Sequence, residues 1–354
     1  MTGSTNACNL PPRPAVSVAA VLPGSLTLIV PHQREASGGV YVIEQLARHL
    51  ARSMTVNLAV RKAPIRPLEG VAVLHAPRLC AAELPDAEVV IGGLAQPDPE
   101  RVLELPPSKG VALFFFQGYG TPGNPRVRAM LERRPRVLAV SSFLLERARG
   151  HGCQAELFRP GLERSLFYAG PPAEERGALV TMMTHATDWK ATSDGLTALA
   201  RVQTAVPEVE LRLFGALEPS VPATFLGRLS PPQVAELLRR AAVLVLPSWE
   251  EGLGLPGIEA LACGAALAST DTKGGGDYAL SGQTALVTPP RDPGRLADSV
   301  IRLLREPELR GRLARRGREH VLATYPPWPE ATAAFARALE RLLSRGSARA
   351  PGAP

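Results

Sequence analysis

Two glutamates, Glu251 and Glu259, stand with seven residues between them in PSWEEGLGLPGIEALACG, residues 247–264. Carboxylates accept hydrogen bonds from sugar or nucleotide hydroxyls. Gly252 and Gly254 lack a Cβ, so a ligand can approach the backbone between the two acids. The elements that must position them are legible on either side. Residues 242–246, AVLVL, form the short continuous apolar run of a parallel strand buried on both faces. Residues 265–269 read as the next strand, so the unit is strand, loop, helix, strand. Pro256 suits the first helical position and Gly264 the left-handed stop. Glu251 is then expected in the loop at the carboxyl end of a strand, and Glu259 in the first helical turn. The N–H groups of Gly257, Ile258 and Glu259 would point from the helix start toward an anion. In open α/β sheets ligands bind at this end of the strands. An anion cradle beside two hydroxyl acceptors suits a phosphorylated sugar or a nucleotide. Acids are also favoured near helix starts for structural reasons alone, and on position the two readings weigh the same.

The whole stretch resembles the E-x7-E motif of the retaining glycosyltransferases of family 4, which have the GT-B fold. The resemblance implies an α/β protein of two Rossmann-like doubly wound domains facing a cleft, with a C-terminal helix crossing back to the first. It implies that Glu251 sits by the donor sugar and Glu259 holds the ribose hydroxyls. The amides of Gly252, Leu253, Gly254 and Leu255, on to Gly257, would meet sugar and diphosphate. Lys190 fits the family's diphosphate-binding Lys, while His185 stands where an Arg is usual. Gly227 and Arg228 fall where the base pocket is commonly lined. Asp277 stands where relatives often have a Glu. The resemblance covers roughly residues 38–343. It is strong over 184–290, where HATDWKA, the glutamate pair and TALVTPP fit, and weaker in the first half.

Transfer from a nucleotide sugar needs help mainly at the leaving diphosphate, where negative charge grows as the anomeric bond breaks. Arg is charged at every working pH, whereas His has an unperturbed pKa of roughly 6.5. A bound diphosphate should raise that value and favour imidazolium at His185. A helix cap or simple hydrogen-bonding role for His185 is weighed equally. Gly38 and Gly39 lie between the strand expected at 26–30 and the helix expected at 40–52. They could serve a tight turn or approach a phosphate, and the resemblance assigns them to the donor phosphate. After the strand at 111–116, many relatives carry a His near the reacting sugar. Here the residue is Gln117, which can orient a hydroxyl but cannot act as a base. Tyr119, on the same loop, is the better acceptor-side candidate, and Phe114, Phe115 and Phe116 read as core.

The remaining order alternates strand and helix. Short strands are expected at 55–60, 71–75, 88–91 and 137–140, with Ser141 capping a helix over 143–151. In the second half strands fall at 178–183 and 209–214, with helices at 195–206 and 231–241. Residues 1–170 read as an acceptor-side domain, with 1–24 loosely ordered. Residues 171–327 read as the nucleotide-sugar domain, 328–345 as the returning helix and 346–354 as a disordered tail.

A chain of 354 residues with 45% hydrophobic and 21% charged residues suits two globular domains. The net charge of +7 could favour nucleic acid, but only 5% aromatics and no recognisable recognition motif argue against it. The four Cys form no CxxC pair or metal-ligand spacing. No apolar run has the length of a membrane helix. The resemblance implies a retaining, metal-independent glycosyltransferase of hexosyltransferase type that requires no cofactor. Its expected partners are a nucleotide sugar and a saccharide, lipid-linked or small-metabolite acceptor. The expected location is the cytoplasm or the inner membrane face. Two other readings stay open: a non-catalytic nucleotide-sugar-binding scaffold, and an epimerase acting on sugar nucleotides.

Overall fold

The computed structural model describes residues 23–33, 38–93, 99–119 and 123–344. The lead-in over 1–24 and the tail over 346–354 expected from sequence lie outside the described residues, apart from residues 23 and 24.

The first sheet contains β1 (Ser25–His32), β2 (Thr55–Lys62), β3 (Ala72–His75), β4 (Val89–Gly93), β5 (Val111–Phe116), β6 (Arg136–Ala139) and β7 (Gln154–Leu157). Its order is β3-β2-β1-β4-β5-β6-β7, and every pair is parallel. Helices α1 (Gly38–Leu50), α2 (Pro125–Glu132) and α3 (Ser142–Gly150) belong to this half. The apolar spacing expected for α1 is real: Val42, Ile43, Leu46, Ala47 and Leu50 are buried.

The second sheet contains β8 (Leu179–Thr184), β9 (Glu210–Gly215), β10 (Thr224–Phe225), β11 (Val243–Leu246), β12 (Ala266–Thr270) and β13 (Leu286–Thr288). Its order is β10-β9-β8-β11-β12-β13, again all parallel. Around it stand α4 (Thr192–Ala205), α5 (Pro231–Arg240), α6 (Leu255–Ala262), α7 (Pro293–Arg305) and α8 (Pro307–Thr324). β11 is buried at all four positions, which is why its sequence shows no alternation. Strand order reverses between β1 and β4 in one sheet and between β8 and β11 in the other. A doubly wound sheet opens its ligand crevice at such a point.

Helix α9 (Trp328–Ser344) returns to the first half and packs on α1, β6 and β7. Phe335 meets the ring of Phe158 edge-on at 5.4 Å, and Arg341 Nε reaches Glu156 Oε2 at 2.9 Å. Arg136 Nε donates to the Leu342 carbonyl at 3.0 Å.

α2 and β7 were not expected from sequence. α2 is short and carries exposed arginines, so it has no long apolar stripe. Its start is set by Asn124, whose side chain accepts from Arg126 N–H at 3.0 Å. β7 has four residues with Glu156 among them, too short and polar for a strand pattern to show.

Candidate donor-sugar cleft between the two sheets

β8 and β11 are neighbours in the second sheet, so the loops after them emerge side by side. The first carries His185 and Lys190, the second Glu251. Lys190 Nζ lies 2.8 Å from both carboxylate oxygens of Glu251, and Ser248 Oγ donates to Oε1 at 2.7 Å. Glu251 is 8% exposed, so the ion pair is largely withdrawn from water. Its backbone is held too: the N–H donates to the Thr272 carbonyl at 2.9 Å.

Trp249, beside Glu251, is fixed from two sides. Its indole N–H donates to Asp194 on α4 at 2.7 Å, and Arg291 lies over the ring at 4.0 Å. Ser248, Trp249 and Asp194 gave no signal beyond the motif itself. Their roles depend on the start of α4 meeting the loop after β11.

The glycines do what their chemistry allows. Gly254 precedes α6 with φ 88°, a left-handed conformation that a side chain would strain. The buried Tyr278 hydroxyl donates to the Gly254 carbonyl at 2.8 Å. A Cβ on Gly252 would collide with the carbonyl of Gln117, so the loops of the two halves meet backbone to backbone. Leu253 is buried beneath the turn.

Two details of the expected helix start differ. α6 begins at Leu255, so Pro256 is its second residue and Glu259 stands in the second turn. The Gly257 N–H is already engaged, donating to the Gly254 carbonyl at 3.0 Å. The tight left-handed entry at Gly254 moves the first turn back by one residue and uses that donor internally.

Glu259 shares a narrow cavity with Tyr41, Glu163, Leu255, Ile258 and Tyr325. Desolvation pushes its carboxyl up to about 7. Burial and the charges of Glu259 and Glu163 raise the Tyr41 phenol to about 12. Tyr41 is a cleft neighbour that sequence reading missed, because it lies inside α1 and passes for core.

His185 is half-buried. Its Nδ1 accepts the Thr187 N–H at 3.1 Å, which leaves Nε2 as the protonated nitrogen. Desolvation lowers its pKa below 6.5; Lys190 and Arg228 add to this, while Glu251 opposes it. In the ligand-free protein these surroundings oppose the imidazolium that a bound diphosphate is expected to favour. Arg228 is exposed, and Gly227 has φ 63° with open space beside it.

From the first half, the start of α1 and the loop after β5 face this site. Gly38 lies against Leu255, where a Cβ would stand 3.2 Å from Cδ1. Gln117 Nε2 donates to the Gly39 carbonyl at 3.0 Å, so its amide ties the two loops together. Tyr119 meets Phe116 edge-on at 5.3 Å, and burial raises its phenol pKa. The structure thus gathers Lys190, Glu251, Gly252, Gly38, Gly39 and Gln117 in one place. Glu259 sits one helical turn deeper, and Tyr119 and Arg228 lie at the margins. Among the described residues, no three His, Cys, Asp or Glu side chains gather as a metal-holding group. No described helix is long and apolar enough to cross a membrane.

A sucrose-phosphate synthase from Thermosynechococcus elongatus superposes on 91% of this chain and 99% of its own, with a TM-score of 0.74 and 20% identity. The fold is GT-B. The Anabaena protein HepE, solved in complex with UDP-glucose, gives a TM-score of 0.71 over 92% of this chain and all of its own, at 12% identity. Within this GT-B chain, residues 170–320 match the family model described as glycosyl transferases group 1. The match coincides with the half that carries Lys190 and Glu251. The D-inositol 3-phosphate glycosyltransferase of Frankia alni is 30% identical over 234 residues, 61% of this chain and 48% of that protein. The chain spans between about a quarter and a half of the length of the curated relatives it matches.

Proposed function

We propose that the protein is a retaining, metal-independent glycosyltransferase of family 4 type. It takes a hexose from a nucleotide-sugar donor to a saccharide, lipid-linked or small-metabolite acceptor. One observation carries this reading. Lys190 and Glu251, distant in sequence, meet at 2.8 Å where strand order reverses in the sheet matching group 1 glycosyl transferases. HepE, with the same fold, was solved with UDP-glucose, which supports a nucleotide sugar as donor.

In this reading Lys190 supplies charge to the leaving diphosphate. A unit charge pair at about 4 Å is worth about 4 kcal/mol at an effective dielectric of 20. Glu251 shares Lys190 with the diphosphate and accepts from sugar hydroxyls. His185 adds a hydrogen-bond donor through Nε2, and Glu259 takes the ribose hydroxyls. Gly38 and Gly39 approach the phosphates from the opposite wall. Gln117 cannot serve as a base, so the departing phosphate receives the acceptor proton in a same-face attack.

The test is titration of UDP, dTDP, GDP and ADP into the wild type and the Glu259→Ala variant, followed by assay of the sugar nucleotides of whichever base binds. One binding nucleotide, lost in the variant, and release of its sugar to an acceptor support the reading. Nucleotide binding without any turnover of the sugar donors refutes it.

A further inference from the structure

We propose that Asp277 is a positioning residue that latches the two halves of the cleft together. Asp277 ends a short 3-10 turn, Gly274–Asp277, in the second half of the molecule. Its Oδ2 accepts the N–H of Ser142, the first residue of α3 in the first half, at 2.9 Å. Arg159, on the segment joining the sheets, brings Nη2 to 3.8 Å from the same oxygen, and the Asp277 side chain is 10% exposed. A helix start has four N–H groups without partners in the helix. In α3 one is met from within, by Ser141 Oγ accepting from Leu144 N–H at 3.4 Å. Another is met from the opposite half by a carboxylate, the charge a helix start favours.

The other end of this segment is built into the site. Thr272 O accepts the Glu251 N–H, and the Gly274 N–H donates to the Glu251 carbonyl at 3.2 Å. The Gly275 N–H donates to Thr272 Oγ1 at 3.1 Å. A Cβ on Gly274 would strike the Glu251 and Gly252 carbonyls, so the segment cannot slide. His320 Nε2 meets the Asp277 carbonyl at 2.8 Å and pins the turn to α8. A few residues of stiff chain therefore connect the backbone of Glu251 to the first half. With Asp277 docked on α3, Gln117 and Gly118 rest against Gly252. When the halves part, water can hydrate both Asp277 and the Ser142 N–H, so the contact is reversible.

The latch rests on the transferase reading only for its effect on turnover. The experiment compares wild type, Asp277→Ala, Asp277→Asn and Ser142→Pro. Ser142→Pro deletes the donor at a position where proline suits a helix, and it serves if Asp277→Ala fails to fold. Asp277→Asn keeps an oxygen for the Ser142 N–H. Small-angle scattering and amide hydrogen exchange over α3 read closure; UDP titration and sugar release from UDP-glucose read the site. Asp277→Ala is expected to raise the radius of gyration, to speed exchange in the first turn of α3 about tenfold and to lower kcat about tenfold. UDP affinity stays within about twofold, and Asp277→Asn falls between. Wild-type scattering and exchange in both Asp277→Ala and Ser142→Pro would overturn the latch. Altered scattering and exchange, in a protein that binds UDP but never consumes UDP-glucose, would leave the latch standing and count against that donor.

Discussion

Lys190 Nζ stands 2.8 Å from both oxygens of the Glu251 carboxylate, so the two residues proposed to meet phosphate and sugar are each other's partners in the free protein. A bound diphosphate would compete with Glu251 for the ammonium. Lys190→Ala removes that charge and leaves a carboxylate that is 8% exposed with Ser248 as its one side-chain donor among the described residues. Lys190 itself is 24% exposed, which moderates the cost to about 1–3 kcal/mol. Lys190→Ala should lower urea stability by that amount and turnover by about a hundredfold or more. Glu251→Gln, which keeps the shape without the charge, should cost less stability than Glu251→Ala. Equal midpoints for Lys190→Ala and wild type would contradict this account.

His185 should take up a proton when nucleotide binds. Its imidazole is held below 6.5 by desolvation, with Lys190 and Arg228 adding to the effect. A diphosphate beside it acts in the opposite direction. Between the lowered free value and the raised bound value, binding carries a proton with it, and affinity falls as pH rises through that window. Calorimetric titration of UDP in two buffers of different ionisation enthalpy measures the uptake. His185→Arg, charged throughout, should abolish it and flatten affinity against pH.

The glutamate motif was legible because its chemistry is local: a buried strand, glycines at a turn, a helix start. The α/β alternation was legible where a central strand is apolar at every position, as in β11. What sequence could not show depends on where elements meet. Nothing in residue 41 reveals that Tyr41 faces Glu259, and nothing in residue 117 reveals that its amide ties Gly39. The tautomer of His185 depends on Thr187 and its lowered pKa on burial and on Lys190, features of the folded loop rather than of spacing. α2 and β7 escaped because short polar elements are defined by their caps and neighbours, not by periodicity.

Glu259 should make the protein less stable as pH rises. Desolvation raises its carboxyl from an ordinary 4.5 to about 7 in the folded state. The folded chain therefore binds this proton more tightly than the unfolded chain. The stabilisation is complete below 4.5 and is lost as pH rises through about 7. The difference corresponds to on the order of 3 kcal/mol at alkaline pH. Glu259→Gln should raise the urea midpoint above pH 8, remain close to wild type below about pH 5, and flatten the curve between. A wild-type midpoint for Glu259→Gln above pH 8 would sink this account.

Arg176 should be among the largest single contributors to stability away from the cleft. It is 7% exposed, and desolvation lowers its guanidinium to about 10, so it remains charged at neutral pH. Its Nη1 donates to the carbonyls of Leu238 and Ala241 at the end of α5, at 3.2 and 2.6 Å. Its Nη2 donates to Cys263 O at the end of α6 at 2.8 Å, and its Nε to Pro171 O at 2.9 Å. Carbonyls at helix ends have no partner within the helix, and cations suit them. One planar fork therefore closes two helices and the joining segment at once. Arg176→Ala strands those oxygens in a buried site and should cost about 3 kcal/mol or more in urea unfolding. Arg176→Lys cannot span the fork and should recover less than half of the loss. Because the residue binds the C-terminal end of α6, opposite the Gly254 turn, UDP affinity of the folded Arg176→Lys variant should remain within about twofold of wild type. Full stability in Arg176→Lys would show that charge alone, rather than the fork, closes these helix ends.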